Sequence, residues 1–208
     1  MAKHKVRQGE CISSIAFENG FFWETIWSHG ENRALKGKRK DPNVLLPGDE
    51  VFIPCRRGKA VDAATGQKHR FRRKGVPAKF CLRLLEDDEP CACRPYTLDI
   101  DGRLFSGTTD AEGRLEHPIP PNARMGKLLI GSSQDEYLLD FGHLDPVNEV
   151  SGIQARLNNL GLGCGQIDGL MGPKTEASLR LFQERHGLQP SGQTNPQTLD
   201  KLKEAHGS

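Results

Sequence analysis

The sequence predicts an α+β chain of several units: an N-terminal βααβ unit, a central β-sandwich and a C-terminal three-helix unit. Three observations predict it. Apolar residues recur at helical spacing near both ends of the chain: Ile12, Ile15 and Ala16; Trp23, Ile26 and Trp27; Val150, Ile153, Leu157 and Leu160. The middle instead holds short alternating runs separated by turn signals, the pattern of an all-β unit. A composition of 36% hydrophobic residues with 23 glycines in 208 residues favours several small cores joined by turns over one large core.

The N-terminal unit spans residues 1–54. His4, Lys5, Val6 and Arg7 read as a short strand, and Gln8-Gly9-Glu10 turns the chain into a helix that ends at Asn19-Gly20. The second helix carries Trp23, Ile26 and Trp27, whose spacing places both rings in a small core. A polar stretch, residues 28–41, leads to the turn-rich PNVLLPGD and then to a strand of Glu50, Val51, Phe52, Ile53 and Pro54. Val51 and Ile53 share one face of that strand by period 2.

The pattern VxxGExISSIA at the start of this unit and PNxLxPGDxVxIP at its end resembles a LysM domain. That resemblance implies an antiparallel strand pair with two helices on one side. It also implies a shallow groove between two loops that binds glycans containing N-acetylglucosamine. Matched position by position, the groove residues are Gln8, Gly9, Glu10 and Cys11 from one loop and Val44, Leu45, Leu46 and Pro47 from the other. Glu10 and Cys11 depart from the family, which more often has Asp and Thr or Ser there, and residues 33–40 lengthen the second loop. Gly9, Pro47 and Gly48 serve chain reversal whether or not a sugar binds.

Residues 55–68, CRRGKAVDAATGQK, have no apolar periodicity and read as a linker. The cations around it, Arg33, Lys36, Lys38, Arg39, Lys40, Arg56, Arg57 and Lys59, read as a solvated basic face, since no aromatic residues interleave them as single-strand binding needs.

The β-sandwich is expected over residues 69–145. Phe80, Leu82 and Leu84 fall on one face of a strand, Asp101-Gly102 is a hairpin signal, and residues 109–113 form a further turn. Later strands are expected at residues 127–130 and 136–140. The stretch from Tyr96 to Ala123, containing GTTDAEGRLEHPIP, resembles transthyretin-like domains related to carboxypeptidase regulatory regions, which implies a spacer or docking role. Cys91-x-Cys93 beside the acidic residues 86–89 does not make a zinc site, because two thiolates leave the tetrahedron incomplete and no histidine lies at local spacing.

The C-terminal unit spans residues 146–208. A helix over residues 149–160 is stopped by Gly161 and Gly163. Gly172-Pro173 then starts a second helix, with Pro at the first helical position, where its missing N–H has no intrahelical partner. Thr175, Leu179, Phe182 and His186 form its inner stripe, and Gly187 closes it. Asn195-Pro196 starts the last helix, with Leu199 and Leu202 inward. The phrases GIQARLNNLG, IDGLMGPKT, LRLFQERHGL and SGQTNPQTL resemble the type 1 peptidoglycan-binding domain, a module that binds without catalysing. The residues matching its pattern include Gln154, Leu157, Phe182, Gly192 and Thr198, which read as structural. Asp168, Gly169, Thr175 and Gln183 are the candidates for touching a peptide stem or sugar.

Several function classes fall away. Basic and acidic residues number 29 and 27, giving a net charge of +2, so no global charge draws the chain to nucleic acid. Apolar runs are too short for membrane insertion. No HExxH and no GxSxG pattern occurs; Cys81 with His117 or His143 stays open as a pair, and no cofactor or metal site is expected. The expectation is therefore a non-enzyme whose partner is peptidoglycan or another N-acetylglucosamine-containing glycan.

The six scattered cysteines fit free thiols in a reducing compartment, and the N-terminus lacks the continuous apolar stretch of a secretory leader. The run ISSIAFENGFFWETIW…RKDPNVLLPGDEVFIP, succeeded by a β-rich unit and the C-terminal module, is similar to proteins of type VI secretion loci. That similarity implies synthesis in a bacterial cytoplasm and delivery to the periplasm or the outside by a contractile machine. A secretion spike or baseplate protein is then the alternative partner, with the chain as its structural component, adaptor or cargo.

Overall fold

The structure, a computed structural model, describes residues 2–56, 58, 62, 64–68, 78–86, 88–131 and 135–207. It is mixed helix and strand, and it divides into two compact units. The first comprises residues 1–43 and 47–142, the second residues 44–46 and 143–208. Much of the expected linker and the first residues of the expected sandwich, 69–77, lie outside the described residues, as do Arg57 and Lys59.

In the first unit, strand β1 (Ala2–Lys5) pairs antiparallel with β2 (Glu50–Ile53), with His4 opposite Val51. The strand begins two residues earlier than the sequence predicts. Val6 is past the ladder and turns inward, 3% exposed, while its backbone still bonds Asp49 and Gly48. Helix α1 (Ile12–Asn19) buries Ile12, Ile15 and Ala16 and ends at Gly20, whose φ of 72° is the left-handed conformation glycine takes most readily. Its start is held by Ser14 Oγ, which accepts from the Cys11 amide and donates to the Cys11 carbonyl. Helix α2 (Trp23–Trp27) buries Ile26 and Trp27. Trp23, expected beside Trp27 in the core, is half-buried instead.

Residues 28–41, predicted to be a polar connection, contain a 3-10 turn (Gly30–Asn32) and helix α3 (Arg33–Arg39). The unit therefore has three α-helices between its strands and not two. The physical reason is that RALKGKR is built mostly of good helix formers but offers periodicity analysis a single apolar core residue, Leu35. Arg39 supplies the rest of the buried face. Its guanidinium grips Asp49 through Nε to Oδ2 at 2.6 Å and Nη2 to Oδ1 at 3.0 Å, with both side chains at most 5% exposed. Asn32, 1% exposed, bonds both backbone groups of Phe52, so a side-chain amide covers the free edge of β2.

The β-rich part holds β3 (Ala78–Arg83), the short β4 (Leu85–Glu86) and β5 (Glu89–Pro90), β6 (Pro95–Ile100), β7 (Arg103–Thr108), β8 (Arg114–Ile119), β9 (Met125–Ile130) and β10 (Asp135–Asp140). Four of them form a sheet in the order β10-β9-β6-β7, while β3 pairs with β8 and β4 with β5, all antiparallel. Leu98, Ile100 and Leu128 from the sheet meet Leu115, Phe80 and Leu82 from the β3–β8 pair in one core, so the two sheets form two layers. Asp101-Gly102 joins β6 to β7 with both residues at positive φ, 47° and 82°, the conformation a two-residue hairpin requires. The Tyr96 hydroxyl and His117 Nε2, 2.8 Å apart, bridge the layers. A Cβ on Gly107 would stand 2.6 Å from that hydroxyl, which explains the glycine in β7.

The second unit contains α4 (Val150–Asn159), α5 (Pro173–Arg185) and α6 (Pro196–His206). Ile153, Leu157, Leu179, Phe182 and Leu202 form its core, each at most 2% exposed, with Leu162 and Cys164 from the connection after α4. Asn195 caps α6 by accepting from the Thr198 amide. No helix among the described residues is long and apolar enough to cross a membrane.

Candidate functional site

Two glutamines organise the second unit. Gln154, on α4 and 2% exposed, accepts from the Gly169 amide at 2.9 Å. Its Nε2 donates to Asp168 Oδ1 at 2.8 Å, to the Leu170 carbonyl at 3.1 Å and to Thr175 Oγ1 at 3.2 Å. Gln183, on α5 and wholly buried, does the same one helix later: it accepts from the Gly192 amide at 2.8 Å and donates to the Gln193 carbonyl at 2.9 Å and Thr198 Oγ1 at 3.0 Å.

The unit is thus a pseudo-repeat. In each half a buried amide on one helix clamps a turn of the form Gly-x-x-Gly/Asn-Pro-x-Thr that begins the next helix, first as Gly169 to Thr175 and then as Gly192 to Thr198. A buried side-chain amide left unmatched costs about 1–3 kcal/mol for each orphaned group, which is why both ends of each glutamine are used. Sequence reading missed this repeat. Its signal was present in the two G-x-x-[GN]-P-x-T phrases, which share their spacing to a following core leucine, Leu179 or Leu202.

The first clamped turn is the better exposed of the two. Asn158 fixes its start by accepting from the Cys164 amide and donating to the Gly165 carbonyl. Asp168 bonds Gln154 and the Leu170 amide, and these two hydrogen bonds hold its carboxyl below the ordinary aspartate range. The Cys164 thiol points inward, toward the Gln154 carbonyl and Asn158 Oδ1, and burial pushes its pKa up, away from reactivity. Of the candidates in this unit, the structure brings Asp168, Gly169 and Thr175 together around Gln154, and places Gln183 apart in the second clamp. Thr175 and Gln183 are buried, whereas Asp168 and Gly169 face solvent.

Residues 146–202 match the family described as "Putative peptidoglycan binding domain". No curated protein and no solved structure matches the chain. The matched stretch begins just before α4 and takes in both glutamine clamps and Leu202.

The N-terminal candidates are placed differently. Gln8 is exposed, Gly9 is buried, and a Cβ on Gly142 would overlap the Gly9 carbonyl, so the β-rich part covers this turn. Glu10 is 7% exposed and has its carboxylate engaged: Oε2 accepts from the Arg7 amide at 2.8 Å and lies 2.6 Å from His4 Nε2. Burial pushes this carboxyl up, but the hydrogen bonds from His4 and the Arg7 amide outweigh it and leave the pKa below the ordinary value. Cys11 is half-buried; Val44 and Leu45 are buried, Leu46 is half-buried and Pro47 is exposed. Residues 44–46 cluster with the second unit while the rest of their loop stays with the first.

A titration follows from Glu10. Its folded pKa lies below the unfolded value of about 4.3, so the pairing adds stability above that pH and loses it as pH falls through the depressed value. Glu10→Gln is expected to melt below the wild type at pH 7 and to converge with it toward pH 3. A melting difference that stays constant from pH 7 to pH 3 contradicts this account.

Gly9 and Cys11 also reach a cleft of about 790 Å³ within the first unit, whose walls include Phe17, Phe22, Trp23 and Phe141. Phe17 and Phe22 are large exposed aromatics. Among the described residues no three His, Cys, Asp or Glu side chains converge where a metal could be held, and all six cysteines are free thiols. Cys81 is exposed on β3 opposite Glu116, while His117 directs Nε2 to Tyr96.

Proposed function

We propose that this chain is a non-catalytic adaptor that binds peptidoglycan through residues 146–202, with a LysM-like unit at its N-terminus as a second glycan-binding surface. The match of residues 146–202 to a peptidoglycan-binding family carries the reading. The glutamine clamps support it, because they hold an exposed turn rigid without calling on its own side chains to fill a core. Preorganised loops bind with less loss of conformational freedom.

Support for the N-terminal part is the β1–β2 pair with helices between its strands, the order the LysM resemblance implies. The cleft reached by Gly9 and Cys11 is lined in part by Phe17, Phe22 and Trp23, residue types on which a sugar can stack. The β-rich part, with its transthyretin-like sequence, serves as the spacer. Two weak surfaces on one chain gain avidity on a polymeric ligand when both engage. For the non-catalytic part, His117 stands opposite Phe80 and Cys81 opposite Glu116, so His117 and Cys81 lie on opposite faces of the β3–β8 pair.

Sedimentation with purified sacculi tests this reading. The full chain is expected to pellet, a chain lacking residues 146–208 to pellet much less, and sacculus turbidity to stay constant over hours. Failure of the full chain to pellet sinks the proposal, and a falling turbidity sinks its non-catalytic part.

A further inference from the structure

The two halves of the C-terminal pseudo-repeat form an internal control. Aligned on their clamped glycines and prolines, Ile167, Leu170 and Met171 of the first turn stand where the second turn has Pro190, Gln193 and Thr194. The second turn folds on the same clamp without large aliphatic side chains at these positions. The fold therefore does not demand them in the first turn. They are not used to fill a core either: Ile167 is 55% exposed, Leu170 68% and Met171 38%. Three large apolar side chains on one short exposed loop are costly to leave in water and mark a contact surface.

The charge pattern says what kind of contact. The sister position of Asp168 is the neutral Ser191. Asp168 spends Oδ1 on Gln154 and the Leu170 amide, while its exposed carboxylate keeps Oδ2 out of both of these bonds. A carboxylate oriented in this way, with Ile167 and Leu170 on either side in the chain, suits an aliphatic chain that ends in an ammonium group. Lys174 adds a cation at the start of the loop, its Cδ 3.7 Å from where a Cβ on Gly165 would sit. A sugar ring is served poorly, since the loop has no aromatic face for it to stack on.

We propose that the loop 167–171 recognises the diamino acid of a peptidoglycan stem peptide, with Asp168 taking the side-chain ammonium and Ile167, Leu170 and Met171 taking its methylenes. This rests on the peptidoglycan-binding reading above and names the part of the polymer that is read.

The test uses the full chain labelled with nitrogen-15 and three probes: the stem peptide L-Ala-γ-D-Glu-L-Lys-D-Ala, the same peptide with norleucine in place of lysine, and an N-acetylglucosamine tetramer. The lysine peptide is expected to shift amides within residues 165–175. Norleucine is expected to weaken binding about threefold, as loss of an exposed ion pair does. Leu170→Gln with Met171→Thr, which grafts the sister sequence, is expected to weaken the lysine peptide about tenfold through lost apolar burial, with the amide pattern elsewhere unchanged.

Equal affinity for both peptides, shifts confined to residues outside 165–175, or loop shifts from the tetramer alone overturn the proposal. Sacculus pelleting separates this failure from failure of the underlying reading. If the wild type pellets but the lysine peptide leaves residues 165–175 unshifted, peptidoglycan binding stands and the loop assignment falls; if the wild type does not pellet, both fall.

Discussion

Asp49→Ala is expected to destabilise the N-terminal part of the chain by about 3–5 kcal/mol, the cost of removing one partner of a buried ion pair. The other partner is Arg39, whose side chain is 2% exposed and whose Nε and Nη2 both bond the Asp49 carboxylate. Lys38, 3.4 Å from the same carboxylate but 64% exposed, adds little by comparison. The link matters because α3 contributes few apolar residues of its own, so this fork does much to fasten it beside the turn into β2. Both tryptophans of the chain lie in α2, which makes their fluorescence a reporter of this region alone during denaturant unfolding. Arg39→Met combined with Asp49→Leu removes both charges and is expected to recover most of the loss. A single-variant loss below about 1 kcal/mol would place the pair in the category of surface ion pairs and contradict its burial.

Gln183→Met is the second large effect. The replacement conserves volume and removes only the amide, so the loss reports hydrogen bonding and not a cavity. It orphans the Gly192 amide and removes the donors that reach the Gln193 carbonyl and Thr198, inside a site where Gln183 is fully buried. A cost of about 2–4 kcal/mol is expected from these unmatched groups. Circular dichroism at the helix band, with amide exchange of α6 as the local readout, measures it. If Gln183→Met melts with the wild type, the clamp is incidental and the pseudo-repeat is held by its leucines and Phe182 alone. Gln154→Met is expected to lose less globally, because the turn it holds is exposed, while loosening residues 168–170.

The contrast between these two regions shows what a sequence reveals and what it hides. The C-terminal helices were legible because Pro173 and Pro196 mark two starts and Gly161 and Gly187 follow two ends, but of the expected inner stripe of α5 His186 is exposed and Gln183 is buried in its stead. The hairpin at Asp101-Gly102 was legible for a similar reason, since so few residues tolerate two consecutive positive φ values. Helix α3 was not, because its buried face is half arginine and no periodicity of apolar residues records it.

Asn32 was hidden in the same way. Its side chain acts as a strand edge for Phe52, a role set by a partner twenty residues away. The polar residues of the candidate site could be named as a family pattern, but their division of labour could not. Thr175 and Gln183 prove to be buried in the clamps, and Asp168 keeps one carboxylate oxygen clear of them. Only the fold shows that Ile167, Leu170 and Met171, ordinary as apolar letters, stay in water.

The most direct test of the account is amide hydrogen exchange of the full chain with and without soluble peptidoglycan fragments. Protection by the fragments is expected to concentrate in residues 165–175, with the α4 and α5 segments that carry Gln154 and Thr175 responding more weakly. Protection confined to residues 1–54, or none anywhere at fragment concentrations that saturate binding, would contradict the assignment of peptidoglycan binding to the C-terminal unit.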